Sequence, residues 1–249
     1  MVKIKLKIDE IPFDFARRRL SVIVSDGQKT QMITKGAVEE ILGISTMVDY
    51  QGNVSPITNA IKENIKKITK DLNKQGLRVV AVCQKNNLEK TSEFTVSDEK
   101  NMVLIGFIGF LDPPKESAKS SIEKLNKNGI RVIVLTGDNV EVTKCICDKV
   151  GIKSRKIVTG AQIDKLADLG VKRLLKKTNI FAKLSPIQKA RIVRLLRNTG
   201  NVVGYMGDGI NDSPSLINSD VGISVDTAVD IAKESADIIL LEKDLHVLL

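Results

Sequence analysis

The segment 207–212 carries residue types that suit a divalent cation. It reads Gly-Asp-Gly-Ile-Asn-Asp and follows an apolar run at 202–206, which is typical of a buried parallel strand. Residues 213–216 then predict the start of a helix. Ligands of open α/β sheets bind at the carboxyl ends of the strands, and Mg²⁺ prefers carboxylate and water oxygens. Asp208 and Asp212 therefore fit a magnesium site, and a solvated Asp-Gly turn is the alternative.

A second apolar run, at 130–135, also ends in polar residues. Thr136, Gly137, Asp138 and Asn139 follow it, and an amphipathic helix is predicted next. Thr136 offers a hydroxyl, and Gly137 allows a backbone N–H to approach an anion closely. This segment is thus a second candidate for ligand contact at the end of a strand.

Lys189 lies in the predicted first turn of a helix. Ser185 is typical of an N-cap and Pro186 of a first helical residue. The helix dipole disfavours a cation in the first turn. A lysine there suggests that it binds something else, such as a phosphoryl group. An ordinary surface lysine is the alternative, because the chain has many lysines.

Composition narrows the function classes. The chain has 249 residues and a formal charge of +9, from 39 basic and 30 acidic side chains. It contains no Trp, two Tyr and six Phe, so it lacks the stacking aromatics of a nucleic-acid binder, and we predict no nucleic-acid partner. Its longest uncharged apolar run, 102–111, has about half of the ~20 residues that span a bilayer, so we predict no transmembrane segment.

The chain divides near residue 100 by its pattern. Residues 1–100 predict an antiparallel sheet packed on helices, and Ser55 and Pro56 predict the cap of a long helix that ends at Gly76. From residue 102, alternating strands and helices predict an α/β domain with a parallel sheet. The strands predicted for the first part are 3–8, 19–24, 31–34 and 77–82. Those predicted for the second part are 102–110, 131–135, 180–182, 202–206, 221–224 and 238–241.

Together, TGDN at 136–139, SPIQK at 185–189 and GDGIND at 207–212 resemble the phosphorylation domain of P-type cation-transporting ATPases. That domain has a haloacid-dehalogenase-like, Rossmann-like parallel sheet. Asp-Pro-Pro at 112–114 matches a further element of the family. Within it, residues 8–22, 110–125 and 221–245 look most like the magnesium-transporting pumps of bacteria and archaea. The resemblance covers nearly the whole chain.

The resemblance implies a hydrolase that uses ATP and Mg²⁺ for phosphoryl transfer to an aspartate. In that interpretation Asp208 ligates Mg²⁺, with Asp212 near it, directly or through a water. The remaining residues that it implies in catalysis hold phosphoryl oxygens or organise the loop between the two domains; they are Thr136, Gly137, Asp138, Lys189 and Asn211.

The first half resembles part of the nucleotide-binding domain of the same family. Lys35 and Gly36 match its Lys-Gly-Ala element, Phe13 its adenine-stacking aromatic, Arg18 a nearby basic residue and Arg78 an arginine that reaches phosphates. An aromatic face stacks on adenine, and cations meet a polyphosphate. A core phenylalanine, a turn lysine and a solvated arginine run are the alternatives. We therefore predict a partial nucleotide-binding domain at 1–100 and a phosphorylation domain at 101–249.

The family's phosphorylated aspartate is not found in this sequence. It lies in an Asp-Lys-Thr-Gly-Thr motif, and the two Asp-Lys pairs here, 148–149 and 164–165, do not continue as Thr-Gly. The chain is therefore interpreted as a piece of a pump at the cytoplasmic side of the membrane, inactive alone, whose partners are the missing N-terminal and membrane parts. The nucleophile strand of this fold lies between the strands that end at Leu135 and Met206. Without it, we expect these two strands to pair directly or to accept a strand from another chain.

Two other functions stay open at this stage. The chain could bind nucleotide or dock on the rest of a pump without chemistry. It could also be a soluble phosphatase of the haloacid-dehalogenase group. Such a phosphatase needs an Asp-x-Asp nucleophile after a first strand, and the nearest run, Ile8-Asp9-Glu10, does not match.

Overall fold

The computed structural model describes residues 5–14, 16–88, 93–153 and 156–249. The chain forms two compact units, Met1–Asp112 and Pro113–Leu249. The predicted strand 3–8 lies partly outside the described residues, because residues 1–4 are not among them.

The first unit contains a seven-stranded sheet and two helices. Neighbouring strands are antiparallel, except that β4 and β7 are parallel, and the strand order is β1-β2-β3-β6-β7-β4-β5. The strands are β1 Leu6–Asp14, β2 Arg19–Ser25, β3 Thr30–Ala37, β4 Ser45–Tyr50, β5 Asn53–Pro56, β6 Leu77–Asn86 and β7 Met102–Leu111. The helices are α1 Val38–Ile44 and α2 Asn59–Lys74.

One face of this sheet carries the core of the first unit. Strand residues alternate between the two faces, so Ile23, Met32, Ala81 and Met102 point into the core and are fully buried. Helix α1 and the Ile61–Ile65 stripe of α2 supply the other side of that core. The opposite face of the sheet carries half-exposed and exposed side chains, many of them apolar, such as Val22, Ile33 and Val82.

The predicted cap of the long helix is wrong by one turn. Ser55 and Pro56 belong to β5, and the helix begins at Asn59 after Thr58, whose Oγ1 accepts a hydrogen bond from the N–H of Ile61 at 3.3 Å. Thr58 is a good N-cap as well, and Pro is tolerated in a strand that ends a sheet. The predicted end of the helix is close, since Gly76 follows it with a φ of 90°.

The strand that ends at Leu111 belongs to the sheet of the first unit and not, as predicted, to the parallel domain. The pattern predicted Met102–Phe110 as the first strand of the parallel domain, but β7 is paired antiparallel with β6 throughout, from Gln84↔Val103 to Leu77↔Leu111. The chain accordingly divides after Asp112 and not near residue 100. An apolar run indicates a buried strand but not the sheet that the strand joins.

The second unit contains two separate three-stranded parallel sheets, ordered β8-β10-β9 and β11-β12-β13. The strands are β8 Val134–Leu135, β9 Val158–Thr159, β10 Ile180–Ala182, β11 Gly204–Met206, β12 Val221–Val225 and β13 Ile238–Leu240. The helices are α3 Ser117–Lys127, α4 Val140–Lys149, α5 Gly160–Asp164, α6 Asp168–Leu175, α7 Pro186–Arg197, α8 Ser213–Asn218 and α9 Asp230–Glu234.

The strands β8 and β11 are not paired with each other. Within the described part of the chain, β8 pairs on one edge with β10, and β11 on one edge with β12. The expectation that these two strands close up and pair directly is therefore wrong. Leu135 packs against the apolar clusters of both sheets, so side chains connect them where hydrogen bonds do not.

Candidate functional site

The loop after β11 and the first turn of α7 meet through an ion pair. Ser185 caps α7 as predicted, because its side chain accepts from the N–H of Gln188 and the Gln188 side chain accepts from the N–H of Ser185. Lys189 then donates from Nζ to Oδ1 of Asp212 at 2.9 Å, and both side chains are largely buried. The lysine that the helix dipole disfavours is thus held by a carboxylate of the candidate cation site.

Asp212 is fixed by further contacts, one with β11 and one within its own loop. The Tyr205 hydroxyl donates to the same Oδ1 at 2.7 Å, and the N–H of Gly209 donates to Oδ2 at 3.3 Å. Gly207 has to be a glycine, because a Cβ there would lie 2.4 Å from the Cβ of Asp212. In the sequence, Tyr205 lies in an apolar run that predicts only a buried strand, so its contact with Asp212 could not be predicted.

Asp208 is exposed and faces a different lysine. Its Oδ2 accepts a hydrogen bond from Nζ of Lys243 at 2.7 Å, and more than half of each side chain is exposed. Its backbone carbonyl accepts from the N–H of Val229 at 3.2 Å, which fixes the loop to the turn after β12. Within the described residues, no three His, Cys, Asp or Glu side chains converge as a metal site. Asp208 and Asp212 thus each have a lysine as counter-ion.

The loop after β8 is fixed to β10. The N–H of Thr136 donates to the carbonyl of Phe181 at 3.0 Å, and the N–H of Lys183 donates to the carbonyl of Asp138 at 2.8 Å. The Thr136 hydroxyl accepts from the N–H of Asp138 at 3.1 Å. Gly137 has no contact that requires a glycine, since an added Cβ would meet only the Leu184 carbonyl at 3.5 Å.

The helix that follows this loop begins where the sequence predicts. Asn139 caps α4, and its Oδ1 accepts from the N–H of Val142 at 2.9 Å. Asn211 lies in the single 3₁₀ turn Ile210–Asp212, directly before α8, and is half-buried. Both polar segments therefore follow parallel strands and precede helices, as predicted.

A cavity of 380 Å³ lies beside Asp208. It is within the size range of small-ligand pockets. Its wall is mostly apolar, with lysine and aspartate side chains among the lining residues. Those residues are Pro114, Lys115, Ser117, Ala118, Met206, Gly207, Asp208, Val225, Leu240, Lys243, Asp244 and Leu245.

In the first unit, Lys35 and Arg78 lie on the sheet face that points away from the helices, which we call the open face. Lys35 is paired with Val82, and Arg78, four residues before Val82 on β6, points to the same side. Both cations are exposed. Phe110 is paired with Arg78 and is 52% exposed. The open face thus combines two cations with apolar side chains.

Phe13 lies at a bulge on the edge strand β1. Ile11 is paired with Ser21 and Asp14 with Arg19, so Pro12 and Phe13 together oppose the single residue Leu20. Phe13 is 47% exposed, which is more than a core phenylalanine would be. The alternative interpretation of Phe13 as a core residue is therefore not supported.

The local structure accounts for the residue types at Arg18 and Gly36 without a ligand. Arg18 adopts a left-handed backbone with φ of 47°, and its guanidinium donates to Glu40 of α1. A Cβ on Gly36 would lie 2.6 Å from the Arg18 carbonyl oxygen and 2.5 Å from the Arg19 Cβ. The close approach of two strands thus requires this glycine without any ligand.

A buried charged cluster at Glu99 was also missed. The Glu99 side chain is fully buried, and its Oε2 accepts from Arg17 at 2.6 Å and Arg19 at 2.7 Å. Its Oε1 accepts from the Ser21 hydroxyl at 2.7 Å. Burial alone would raise the pKa of Glu99, but the hydrogen bonds from Arg17, Ser21 and Arg19 hold it below its ordinary value. Two of the three consecutive arginines are therefore not a solvated run.

The matching family model and the similar proteins agree with each other, because all of them are P-type ATPases or carry an ATPase name. Residues 2–117 match the family model described as P-type ATPase, cytoplasmic domain N. The chain is 48% identical over 243 residues to the Escherichia coli K12 "Magnesium-transporting ATPase, P-type 1", covering 97% of this chain and 27% of that protein. A protein of the same name from Salmonella typhimurium LT2 is 47% identical over 247 residues, covering 98% of this chain and 27% of that protein.

A more distant group of relatives carries a different name. The Bacillus cereus "Calcium-transporting ATPase 1" is 32% identical over 243 residues, covering 96% of this chain and 27% of that protein. The chain thus spans about a quarter of the length of these relatives. In the part of the chain that the structure describes, no helix is both long and apolar enough to cross a membrane.

Proposed function

We propose, from its membership of the P-type ATPase family, that this chain carries the nucleotide-binding and phosphoryl-handling surfaces of an ATP-driven cation pump. The observation that carries the proposal is the 48% identity to a magnesium-transporting ATPase over 97% of the chain. The relatives' names favour Mg²⁺ as the transported ion. Because the chain covers 27% of each relative, the membrane part of the pump and its attachment at the cytoplasmic side belong to the proposal as well.

The two units correspond, in this proposal, to two domains of the pump. The antiparallel unit up to Asp112 is part of the nucleotide-binding domain. The unit from Pro113 is the phosphorylation domain, with a haloacid-dehalogenase-like sheet that lacks one strand between β8 and β11. Two observations support this interpretation: among the described residues β8 and β11 are each paired on one edge, and Leu135 packs against the clusters of both sheets.

Lys35 and Arg78 on the open face, and Phe13 at the bulge of β1, bind ATP in this proposal. Lys35 and Arg78 are exposed cations on one side of the sheet and would meet the phosphates, while the half-exposed ring of Phe13 would stack on adenine. Arg18 contributes less, because its guanidinium is paired with Glu40. Gly36 allows β2 to approach β3 closely beside Lys35.

At the second site, Asp208 and Asp212 hold Mg²⁺ in this proposal. Mg²⁺ is usually bound by one or two carboxylates, with waters and phosphate oxygens completing its shell, so two aspartates on one loop fit. When bound, the ion neutralises the charge of a phosphoryl group. Lys243 has to leave Asp208 for the ion to bind, and this is inexpensive because the pair is exposed.

Phosphoryl oxygens are held by Thr136, Lys189 and Asn211 in this proposal. Lys189 is placed by Asp212, Thr136 by backbone hydrogen bonds to β10, and Asn211 by the 3₁₀ turn. Asp138 fixes its own loop through its backbone contacts. The nucleophilic aspartate has to come from outside this chain, because no Asp-Lys-Thr-Gly sequence occurs in it.

The chain is expected to bind ATP or ADP weakly through the open face. In titration calorimetry, Lys35→Ala and Arg78→Ala should each weaken binding by about tenfold, because each removes a charge-assisted contact with phosphate. Lys67→Ala is the matched control, because Lys67 is an exposed lysine on α2, which packs on the other face. If millimolar nucleotide produces no heat with the parent chain, the open face is not a nucleotide site.

The chain alone is expected to form no phosphoenzyme and to hydrolyse no ATP. The reason is the absent nucleophile, since covalent phosphoryl transfer needs a carboxylate placed in line with the phosphate. The measurement is acid-stable label from ATP in the presence of Mg²⁺, with mass spectrometry of the protein. Phosphate release from a small phosphorylated metabolite would instead favour a phosphatase, and a phosphorylated Asp208 would contradict its assignment as a metal ligand.

A further inference from the structure

Tyr205 places a polar group at the candidate cation site from inside the core. It is the central residue of β11 and is 8% exposed. Its cluster is apolar and includes Val193, Leu216 and Val225. Its hydroxyl, however, donates to Oδ1 of Asp212 at 2.7 Å. The phenol therefore joins the rigid sheet to the loop that carries the carboxylates.

The carboxylate of Asp212 is held unequally at its two oxygens. Oδ1 accepts two strong hydrogen bonds, from the Tyr205 hydroxyl at 2.7 Å and from Lys189 Nζ at 2.9 Å. Oδ2 accepts one longer hydrogen bond, from the N–H of Gly209 at 3.3 Å. A carboxylate has about four acceptor positions, two on each oxygen. Two donors thus fill Oδ1, whereas Oδ2 keeps a position for another ligand.

We propose that Tyr205 is a positioning residue for the cation site: with Lys189 it holds Oδ1 of Asp212, and it thereby presents Oδ2 to Mg²⁺. The inference rests on the proposed magnesium-binding role of Asp208 and Asp212, and it adds a residue that does not itself contact the ion. Groups that orient metal ligands in this way typically change metal affinity by about 10–100-fold when they are removed.

Packing alone does not require a phenol at this position. A phenylalanine would fill the same volume without burying a hydroxyl, which costs free energy unless the hydroxyl is hydrogen-bonded. Here the Tyr205 hydroxyl is hydrogen-bonded to Asp212, so the position keeps a polar group that packing would not need.

Calorimetric titration of the chain with Mg²⁺ alone tests the inference. Tyr205→Phe should raise the Kd for Mg²⁺ by about tenfold, with little change in melting temperature, because the ring and its packing are kept. Asp212→Asn should weaken binding at least as much. Tyr50→Phe is the matched control, because Tyr50 lies in the first unit and is 71% exposed, and it should leave the Kd unchanged.

Tyrosine emission gives a second readout that does not depend on activity. The chain has two tyrosines and no tryptophan, so Tyr205 is the sole fluorescent tyrosine in the Tyr50→Phe variant. Mg²⁺ should change the emission of Tyr205 with the midpoint found by calorimetry. The reason is that the ion binds the carboxylate that accepts a hydrogen bond from the Tyr205 hydroxyl. In Tyr50→Phe combined with Asp212→Asn, the emission should no longer respond to Mg²⁺.

The outcomes separate this inference from the proposed function. An equal Mg²⁺ affinity in Tyr205→Phe and the parent, together with weak binding by Asp212→Asn, overturns the role of Tyr205 and leaves the magnesium site in place. No binding of Mg²⁺ by the parent chain overturns both. If Tyr205→Phe does not fold, the emission titration of Tyr50→Phe decides, and an emission insensitive to bound Mg²⁺ overturns the inference.

Discussion

Replacing Glu99 with glutamine is expected to lower the free energy of unfolding of the first unit by about 3–5 kcal/mol. The Glu99 side chain is fully buried between Arg17 and Arg19, whose side chains are 15% and 12% exposed. Removing its charge leaves two nearly buried guanidinium groups without their common carboxylate. Since a domain is stable by roughly 5–15 kcal/mol, the loss is a large part of the total.

Hydrogen–deuterium exchange of residues 19–37 in urea measures this loss within the first unit. Glu63→Gln is the matched control, because Glu63 forms an exposed ion pair with Lys66 and should cost less than about 1 kcal/mol. Because the pKa of Glu99 is held below 4.5 in the fold, its contribution is present above that pH and disappears as the pH falls through the lowered value. The free energies of unfolding of Glu99→Gln and Glu63→Gln should therefore converge in acid. A loss for Glu99→Gln no larger than for Glu63→Gln would contradict the role of the cluster.

Adding a peptide with an apolar strand followed by Asp-Lys-Thr-Gly-Thr is expected to raise the melting temperature of the second unit. The peptide would pair with β8 and β11, each of which has one paired edge in the described structure. A ligand at 100 times its Kd stabilises by about 2.7 kcal/mol, which corresponds to roughly 10 °C for a unit of this size. Differential scanning calorimetry at several peptide concentrations gives the shift.

The matched control is the same peptide with a proline in the centre of its strand. Proline removes a ladder N–H and is excluded from central strands, so this peptide should bind poorly. If the peptide acted only through nonspecific hydrophobic binding, both peptides would shift the melting temperature equally. If neither peptide changes a cooperative transition of the monomeric chain, the space between the two sheets does not accept a strand.

Local patterns predicted the second unit better than the first. The runs at 180–182, 202–206, 221–224 and 238–241 each overlap an observed strand, because buried parallel strands are continuous apolar runs between turns. Only Val134 and Leu135 of the run 131–135 form a strand. The run still marks the correct position, since the polar residues 136–139 follow a parallel strand and precede a helix, as predicted.

The sheet membership of β7 could not be predicted in the same way. Its ten residues are apolar throughout, as in a parallel strand, but they pair with β6 on one side and β4 on the other. Pairing across a sheet depends on long-range contacts, and a single sequence contains no direct record of them. The same limit explains why Glu99 was missed, because its partners lie about 80 residues away in the chain.

Part of the candidate site could be predicted because its polar residues follow strands directly. The local positions of Lys189 and Asp212 indicate both as site residues, and the structure joins them by an ion pair. The position of Tyr205 does not, because an aromatic residue in an apolar run predicts only burial. The hydrogen bond of the Tyr205 hydroxyl forms only in the folded chain, where the turn at Gly207 brings Asp212 back to the strand.

The strand order of the first sheet has a consequence for synthesis on the ribosome. The hairpin β4–β5 is attached to the sheet through β7, which is synthesised only after α2 and β6. At a translation rate of about 5–20 residues per second, this hairpin remains unpaired with β7 for several seconds. Once synthesised, β6 also lacks its neighbour on one side until β7 emerges. The edges of β4 and β6 that β7 later covers are therefore unpaired until Leu111 has emerged, and unpaired strand edges of this kind are prone to aggregation.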